Sequence, residues 1–580
     1  MKNAAALLMV VLASFATISA QTAPASALSP NAAATAEYNA MVDQYFDDYF
    51  RFHPSEGTAA GFHRFDNLLE DFSQQARDSE LSFLLETKQA AGYFHSDRLN
   101  DEQRADLKLL SNAINARLLE LQEIRMWQKN PDLYSSSGSA SIFGLMSRRF
   151  APTAERLKSV IAREQKIPAN LAAARTNLQN PPRVFTEVAI EQLPGIISFF
   201  QRDVPVAFKE VTDSQLQAEF KASNDKVIVE LQRYQDFLQN DLLPISKGDF
   251  RLGPELYRKK LLYEEMVDTP LDKLLEIGYQ NLRDNQRQFR EVAAQIDPAK
   301  TPQQILAEME KDHPKPDQLL NSFRETAFKA RAFVEVHKIA SIPSQVPPIV
   351  QETPPFMRAL TFASMDTPGP YERVAKEAFL NVTLPEKDWK ADRVENYMKS
   401  FHRGVILSTT IHEAYPGHYV QFLWVQTLNS KVRKLLGSNT NGEGWAHYCE
   451  QMLLDEGYTT DLRMRLGQLQ DALLRNARYI VGIEMHTGSR TFEQGVEFFE
   501  KEGYQAHESA LKETKRGTSD PTYLYYTLGK LQILKLREDY RKRKGAEFSL
   551  QEFHDSFLKQ GFPPIKIVRH ALLGDDSPTL

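Results

Sequence analysis

From Asp71 to Phe94, Asp101 to Trp127 and Val206 to Leu242, apolar residues return every three or four positions among charged ones. Only a helix turns that rhythm into one continuous apolar face. The same rhythm recurs up to about Lys260, so this half of the chain is constrained to a shell of packed amphipathic helices. Between Ser147 and Phe200 the residues Pro152, Pro168, Pro181, Pro182 and Pro194 mark starts and stops, which predicts several short helices there. The Ser/Gly-rich run from Ser135 to Ser139 reads as a flexible loop, and it lacks the Gly-x-Ser-x-Gly elbow of a serine hydrolase. Between Ala340 and Thr383 seven prolines and short β-branched runs such as Phe379–Thr383 replace the helical rhythm. A small β region near 345–385 is expected in an otherwise mainly α fold. Helical periodicity resumes near Trp389 and continues to Leu573.

With 42% hydrophobic and 25% charged residues, the 580-residue chain has the balance of a large globular protein, not of a disordered or fibrous one. Seventy Lys and Arg against 76 Asp and Glu leave a net charge of −6 with no long basic block, so a nucleic-acid partner is not expected. Lys2, the apolar run Ala4–Ile18 and Ser19-Ala20 compose a secretory signal peptide. The expected organisation is a signal peptide at 1–20, a linker at 21–35, a helical N-terminal region at 36–260 and a catalytic region at 261–580. Cleavage places the mature chain in the periplasm or outside the cell, with no stable membrane insertion. Cys449, the only cysteine, excludes an intramolecular disulfide and reads as buried packing.

Of thirteen histidines, His402, His412, His418 and His447 fall within 46 residues. His412-Glu413-Ala414-Tyr415-Pro416-Gly417-His418 is followed 25 residues after His418 by Glu443. Two imidazoles and a carboxylate are the ligand set of a catalytic zinc that leaves a fourth position open, and an adjacent Glu is placed to move a proton. The spacing resists that reading, because six residues at about 100° each turn about 240° around a regular helix and send the two rings to different faces. Pro416-Gly417 either bulges the helix and returns His418 to the metal side, or ends one helix and lets His418 open the next element without touching a metal.

The segment 412–418, Glu443-Gly444-Trp445-Ala446 with Tyr448, and Asp520–Leu524 with Tyr526–Lys530 together resemble the bacterial family called domain of unknown function 885. The resemblance runs from about Ala36 to Leu573 and includes Pro54-Ser55, Gly57 and Ile167-Pro168. It is similar in turn to zinc peptidases of the gluzincin type. That likeness implies a large helical, zincin-like architecture around a deep groove, with Zn²⁺ held by His412, His418 and Glu443 and with Glu413 as general base. Many members carry a second histidine where this chain has Tyr419, so the ligand role passes to His418 alone. Glu450, seven residues after Glu443, is either a substitute third ligand or a carboxylate that fixes an imidazole tautomer. His447 shares that helix face and is expected to line the site, whereas Trp445, Phe422 and Trp424 are expected in the core.

An oxyanion donor is also required. Tyr526 and His486 are the first candidates, followed by Tyr523 and Tyr525. The leucine spacing around Leu524, Leu528 and Leu531 points Tyr526 off the buried stripe toward the groove. Arg516 and Tyr523 are the expected substrate-binding residues, Arg516 as a fork for a peptide carboxylate. The function implied is an exported peptidase acting on small peptides. The alternatives are a metal-dependent hydrolase of another amide or ester, and a catalytically silent peptide-binding protein.

Overall fold

The computed structural model describes residues 30–94, 96–354, 358 and 361–580; the expected signal peptide and most of the linker lie outside them. Helix Pro30–Phe52 takes in the last residues of that linker. The amphipathic stretches fold as helices Gln74–Gly92, Asp101–Leu119 and Ser214–Phe237, the second started by a reciprocal cap between Asn100 and Gln103. In the proline-punctuated section, Pro152 and Pro182 precede helices Thr153–Glu164 and Arg183–Ser198, and Pro168 sits in the first turn of Ile167–Asn177. Pro194 departs from the rule by lying inside Arg183–Ser198, whose next turn, Phe199–Asp203, widens to a π-helix.

The serine-rich run is not a loop. It lies within helix Asp132–Ser147, where Ser135 and Gly138 are buried and Gly138 meets the Ile167 side chain. Ser139 and Ser141 return their hydroxyls to the carbonyls of Ser136 and Gly138 at 3.0 and 2.7 Å. Packing and these local bonds override the weak helix propensity of serine and glycine.

That helix also borders a buried pair. Arg163, 1% exposed, donates to the carbonyls of Leu68 and Ser141 and to Thr58 Oγ1. Next to it Glu164 is fully buried and accepts a hydrogen bond from Ser223, while its Oε1 has no partner. Burial pushes this carboxyl up to about 8, only partly offset by Ser223. An unfolded glutamate ionises near pH 4.3. Between those values the unfolded state has released the proton that the fold retains, so stability falls as pH rises through the window. Glu164→Gln is expected to remove that slope and to raise stability at pH 8 by on the order of 1 kcal/mol or more, read from urea unfolding at pH 5 and pH 8.

The expected β region is a three-stranded sheet in the order β1-β3-β2, with β1 at Ile349–Glu352, β2 at Ala363–Asp366 and β3 at Phe379–Val382. β1 runs parallel to β3, Val350 beside Leu380, and β2 runs antiparallel to it, Met365 beside Leu380. Among the described residues one edge of β2 therefore pairs with no strand, and β2 contacts helix Arg403–Glu413.

Two close helix contacts fix the frame of the site. Helix Asn439–Asp455 crosses Tyr525–Lys544 at Gly444 and Gly529, where a Cβ on Gly529 would stand 1.9 Å from the Thr440 carbonyl oxygen. Helix Leu271–Ile296 lies on Leu462–Thr487 with Gly278 against the Tyr479 ring. Helix Gly253–Glu265 runs across residue 260, up to which the amphipathic rhythm of the first half was read, and its last residue reaches into the second region. There Glu265 accepts the Asn439 and Thr440 backbone N–H groups at 3.1 and 2.9 Å. It thereby satisfies two free donors at the start of helix Asn439–Asp455. Among the described residues no helix is long and apolar enough to cross a membrane.

Candidate metal centre and its cavity

His412 and Glu413 are the last two residues of helix Arg403–Glu413, and His418 is the first residue of helix His418–Thr427. The helix is not bulged. It ends, with the Ala414 N–H on the Thr410 carbonyl at 2.9 Å, and the chain turns back so that the Gly417 N–H reaches the Ile411 carbonyl at 3.0 Å. That return leaves no space for a side chain at 417, since a Cβ there would lie 1.9 Å from the His412 carbonyl oxygen. Trp445 secures the turn from outside by donating its indole N–H to the Pro416 carbonyl at 2.9 Å. The rotation of 240° therefore does not apply, because two helices present the two rings. They meet nearly at right angles with centroids 4.7 Å apart.

Helix Asn439–Asp455 supplies Glu443 from the facing side. Its Oε2 stands 3.3 Å from His412 Nε2 and 3.5 Å from His418 Nε2, and ligand atoms of the three residues lie within 4.8 Å of one another. In a tetrahedral zinc site with bonds of 2.0 to 2.1 Å, ligand atoms are separated by about 3.4 Å. The same Oε2 is buried and, among the described residues, no donor other than the two imidazole nitrogens approaches it, so it is an acceptor placed between the two rings. The residues present fit a zinc ion.

Glu450 is not one of the three. Its Oε1 accepts from His412 Nδ1 at 2.7 Å and from Arg475 Nη2 at 3.0 Å, and its Oε2 accepts from His447 Nδ1 at 3.1 Å. The first bond keeps a proton on His412 Nδ1 and turns Nε2 toward Glu443, so that Nε2 is the nitrogen a metal would take. Burial would raise the Glu450 carboxyl, but Arg475, His447 and His412 outweigh it and hold it well below the usual range. Burial likewise would lower His412, and its bonds to Glu443 and Glu450 instead hold it up to about 10. His447 does not line the site: it is fully buried, and burial with Lys530 nearby pushes it down to about 3, a neutral ring that supports Glu450.

Glu413 is half-buried, and its Oε2 accepts the Met365 N–H from the free edge of β2 at 2.9 Å. The carboxylate is thus fixed next to His412 by a backbone group.

A cavity of about 850 Å³ opens on His418 and Glu443. Arg117 and Lys260 line its far wall from the N-terminal helices, and Asp520, Pro521 and Thr522 close another side. Arg516 stands behind that side, donating to Asp520 Oδ2 at 3.0 Å and to the phenol oxygens of Tyr525 and Tyr526 at 3.2 and 3.4 Å. Its guanidinium is engaged by the protein itself. Tyr526 is 8% exposed and is not among the residues lining the cavity; every residue from Pro521 to Lys530 is buried, so the apolar stripe read from the leucines is only part of the contact surface. Its ring lies 5.6, 5.0 and 5.9 Å from the Arg475, Arg478 and Arg516 guanidinium carbons.

The structure does not bring His486 or Tyr523 to the centre. His486 is eleven residues beyond Arg475 on one helix, about 16 Å along the axis. It bonds the Gly517 carbonyl at 2.7 Å, and burial pushes it down to about 4. Tyr523 is fully buried against Gly482 and Gly517. Trp445 and Cys449 are buried core, as expected, but Phe422 is half-buried and lines the cavity. Arg475 and Met365 escaped the sequence reading. Arg475 had one signal, which it shares with Arg478: a charge in the otherwise mostly apolar stretch Ala472–Ile483; Met365 acts through its backbone and had none.

A mainly α-helical protein with a His-His-Glu centre buried between its helices is the class that fold and site define. The chain belongs to the family described as bacterial protein of unknown function, DUF885, whose model matches residues 54–572. A solved structure from Shewanella oneidensis, a candidate lipoprotein of unknown function, is 26% identical with a TM-score of 0.78, covering 94% of this chain and 100% of that one. A candidate lipoprotein from Colwellia psychrerythraea is 19% identical with a TM-score of 0.77, covering 94% and 99%, and shares the fold. No curated protein matches the chain.

Proposed function

We propose that the protein is an exported, zinc-dependent peptidase of the gluzincin type that hydrolyses small peptides in the periplasm or outside the cell. The observation that carries this reading is the convergence of His412, His418 and Glu443, whose ligand atoms lie within 4.8 Å of one another with Glu443 at 3.3 and 3.5 Å from the two Nε2 atoms, with Glu413 beside them and a cavity of about 850 Å³ in front. Zinc, when bound, supplies Lewis acidity to a carbonyl and lowers the pKa of water at the site. Glu413 takes the proton at a carboxylate oxygen and returns it to the leaving amine. Export rests on the leader at 1–20 and accords with the lipoprotein description of both solved relatives.

Zinc analysis and a peptide screen on the purified mature chain test the reading together. About one zinc per chain and hydrolysis that a chelator stops are expected. A zinc-loaded protein that leaves a mixture of short peptides intact overturns it.

The geometry also favours Tyr525 over Tyr526 as donor to the oxyanion. Tyr525 donates at 3.1 Å to Oδ2 of Asp520, a residue that lines the cavity, and lies close enough for the Glu443 charge to raise its pKa further, after burial and its neighbours Tyr526 and Asp520. Tyr525→Phe is expected to lower turnover by about 10²-fold with zinc content unchanged. Tyr526→Phe should change turnover by less than about threefold and cost mainly about 1 kcal/mol of stability. Steady-state kinetics and melting curves on both variants decide between them.

A further inference from the structure

Beside the large cavity lies a second one of about 310 Å³, and the two share Phe422, Leu436, Gly437 and Phe562 as lining. The Phe422 and Phe562 rings, 5.2 Å apart, form a partition. Phe422 follows His418 by one helical turn, and its ring centroid is 6.4 Å from that of His418. The small cavity therefore begins about one or two residues' reach from the metal-binding side chains, at about 3.4 Å per extended residue.

Its chemistry differs from that of its neighbour. Ionised groups line the large cavity, among them Glu120, Glu264 and Asp520, whereas the small one is walled chiefly by Pro368, Pro370, Val425 and the two phenylalanines. Lys434 at its side directs its ammonium over the Tyr371 ring at 5.2 Å. The space exists because the chain places small residues around it. A Cβ on Gly369 would stand 2.0 Å from the Ala59 carbonyl oxygen, and one on Gly437 would stand 2.5 Å from Phe562 Cβ. The backbones already touch at both positions, so the rim cannot collapse inward. A volume of 310 Å³ is at the lower end of the range for ligand pockets and holds one large side chain, not a peptide.

We propose that this cavity is a specificity subsite for a bulky apolar side chain, leucine- or phenylalanine-like, on the residue adjoining the bond that is cleaved. The proposal rests on the peptidase reading for the identity of its occupant. Phe422 and Phe562 are its specificity-determining wall, and the substrate class is peptides with a large apolar residue at that position.

Ala59 and Gln426 line the cavity, are exposed, and lie outside the proposed catalytic machinery. Ala59→Phe and Gln426→Phe fill it from opposite rims. Two measurements use the peptides Ala-Ala-X-Ala-Ala with X as Gly, Ala, Leu or Phe: kcat/KM for the zinc-loaded enzyme, and calorimetric binding to zinc-loaded Glu413→Gln with and without each filling substitution. Leu and Phe are expected to exceed Gly by about 10- to 100-fold in both. Either filling variant should reduce that ratio to about threefold or less, with the Gly peptide unaffected. A ratio near one in the unfilled proteins, or a ratio that survives both substitutions, overturns the subsite. If no peptide is cleaved while apolar-dependent binding is seen and is lost on filling, the subsite stands and the peptidase reading alone falls.

Discussion

Glu413→Gln is expected to lose hydrolysis by about 10²- to 10⁴-fold while zinc per chain stays at the level of the unmodified protein. The substitution is close to isosteric, and the amide oxygen of glutamine still accepts the Met365 N–H that now holds Glu413 Oε2 at 2.9 Å. The side chain therefore keeps its place beside β2, and the helix end that carries His412 keeps its course. What is lost is a group able to take a proton. His418→Ala supplies the contrast, because it removes one of the three ligand atoms and should release zinc together with activity. Atomic absorption and turnover on the same samples separate the two effects. Near-normal turnover in Glu413→Gln removes the general base, and full zinc in His418→Ala removes the proposed ligand set.

His412, Glu413, His418 and Glu443 stood out in the sequence because metal chemistry admits few residue types and they occur close together. Their convergence did not. A rotation argument needs one continuous helix, and the segment 414–417 is where the chain stops being one: the Gly417 N–H doubles back to Ile411. Nothing in the spacing distinguishes that return from a bulge, since both call for Pro and Gly. The roles of Glu443 and Glu450 were open for a related reason. Seven residues put both on one helix face, and only the positions of the facing helices make the first meet two Nε2 atoms and the second His412 Nδ1, His447 and Arg475.

The mainly helical body and the sheet near 345–385 were legible from periodicity and from proline. Tertiary packing was not, and it explains the departures. Ser135–Ser139 is helical because Gly138 lets Ile167 approach. His486 and Tyr523 are removed from the centre because the helices carrying them turn those faces toward Phe250, Tyr257 and Gly517. Phe562 borders both cavities from a segment far along the chain and carries no local signal of its place, whereas Asp520 stood out only as part of the Asp520–Leu524 segment, which says nothing of the cavity it lines.

Glu450→Ala is expected to weaken zinc binding by about 10- to 100-fold and to cost about 3 to 5 kcal/mol of stability. Glu450 is fully buried, and each of its oxygens is occupied, by His412 Nδ1 and Arg475 on one side and His447 Nδ1 on the other. Alanine leaves the Arg475 guanidinium, 13% exposed, without its anion and the His412 ring free to change tautomer or turn. The stability loss thus comes from an unpaired buried charge, and the affinity loss from an imidazole no longer oriented toward Glu443. Glu450→Gln should fall between alanine and the native residue, because its amide oxygen still accepts from His412 and Arg475, while its NH₂ requires His447 to present an unprotonated Nδ1. Glu443→Gln should behave differently, losing zinc almost completely at a smaller cost in stability, since Glu443 faces only the two imidazole nitrogens and leaves the Arg475 and His447 contacts of Glu450 in place. Competition with a chromogenic chelator and urea unfolding of the zinc-free proteins measure both quantities. If Glu450→Gln loses zinc as completely as Glu443→Gln, Glu450 is a ligand and not the residue that orients His412.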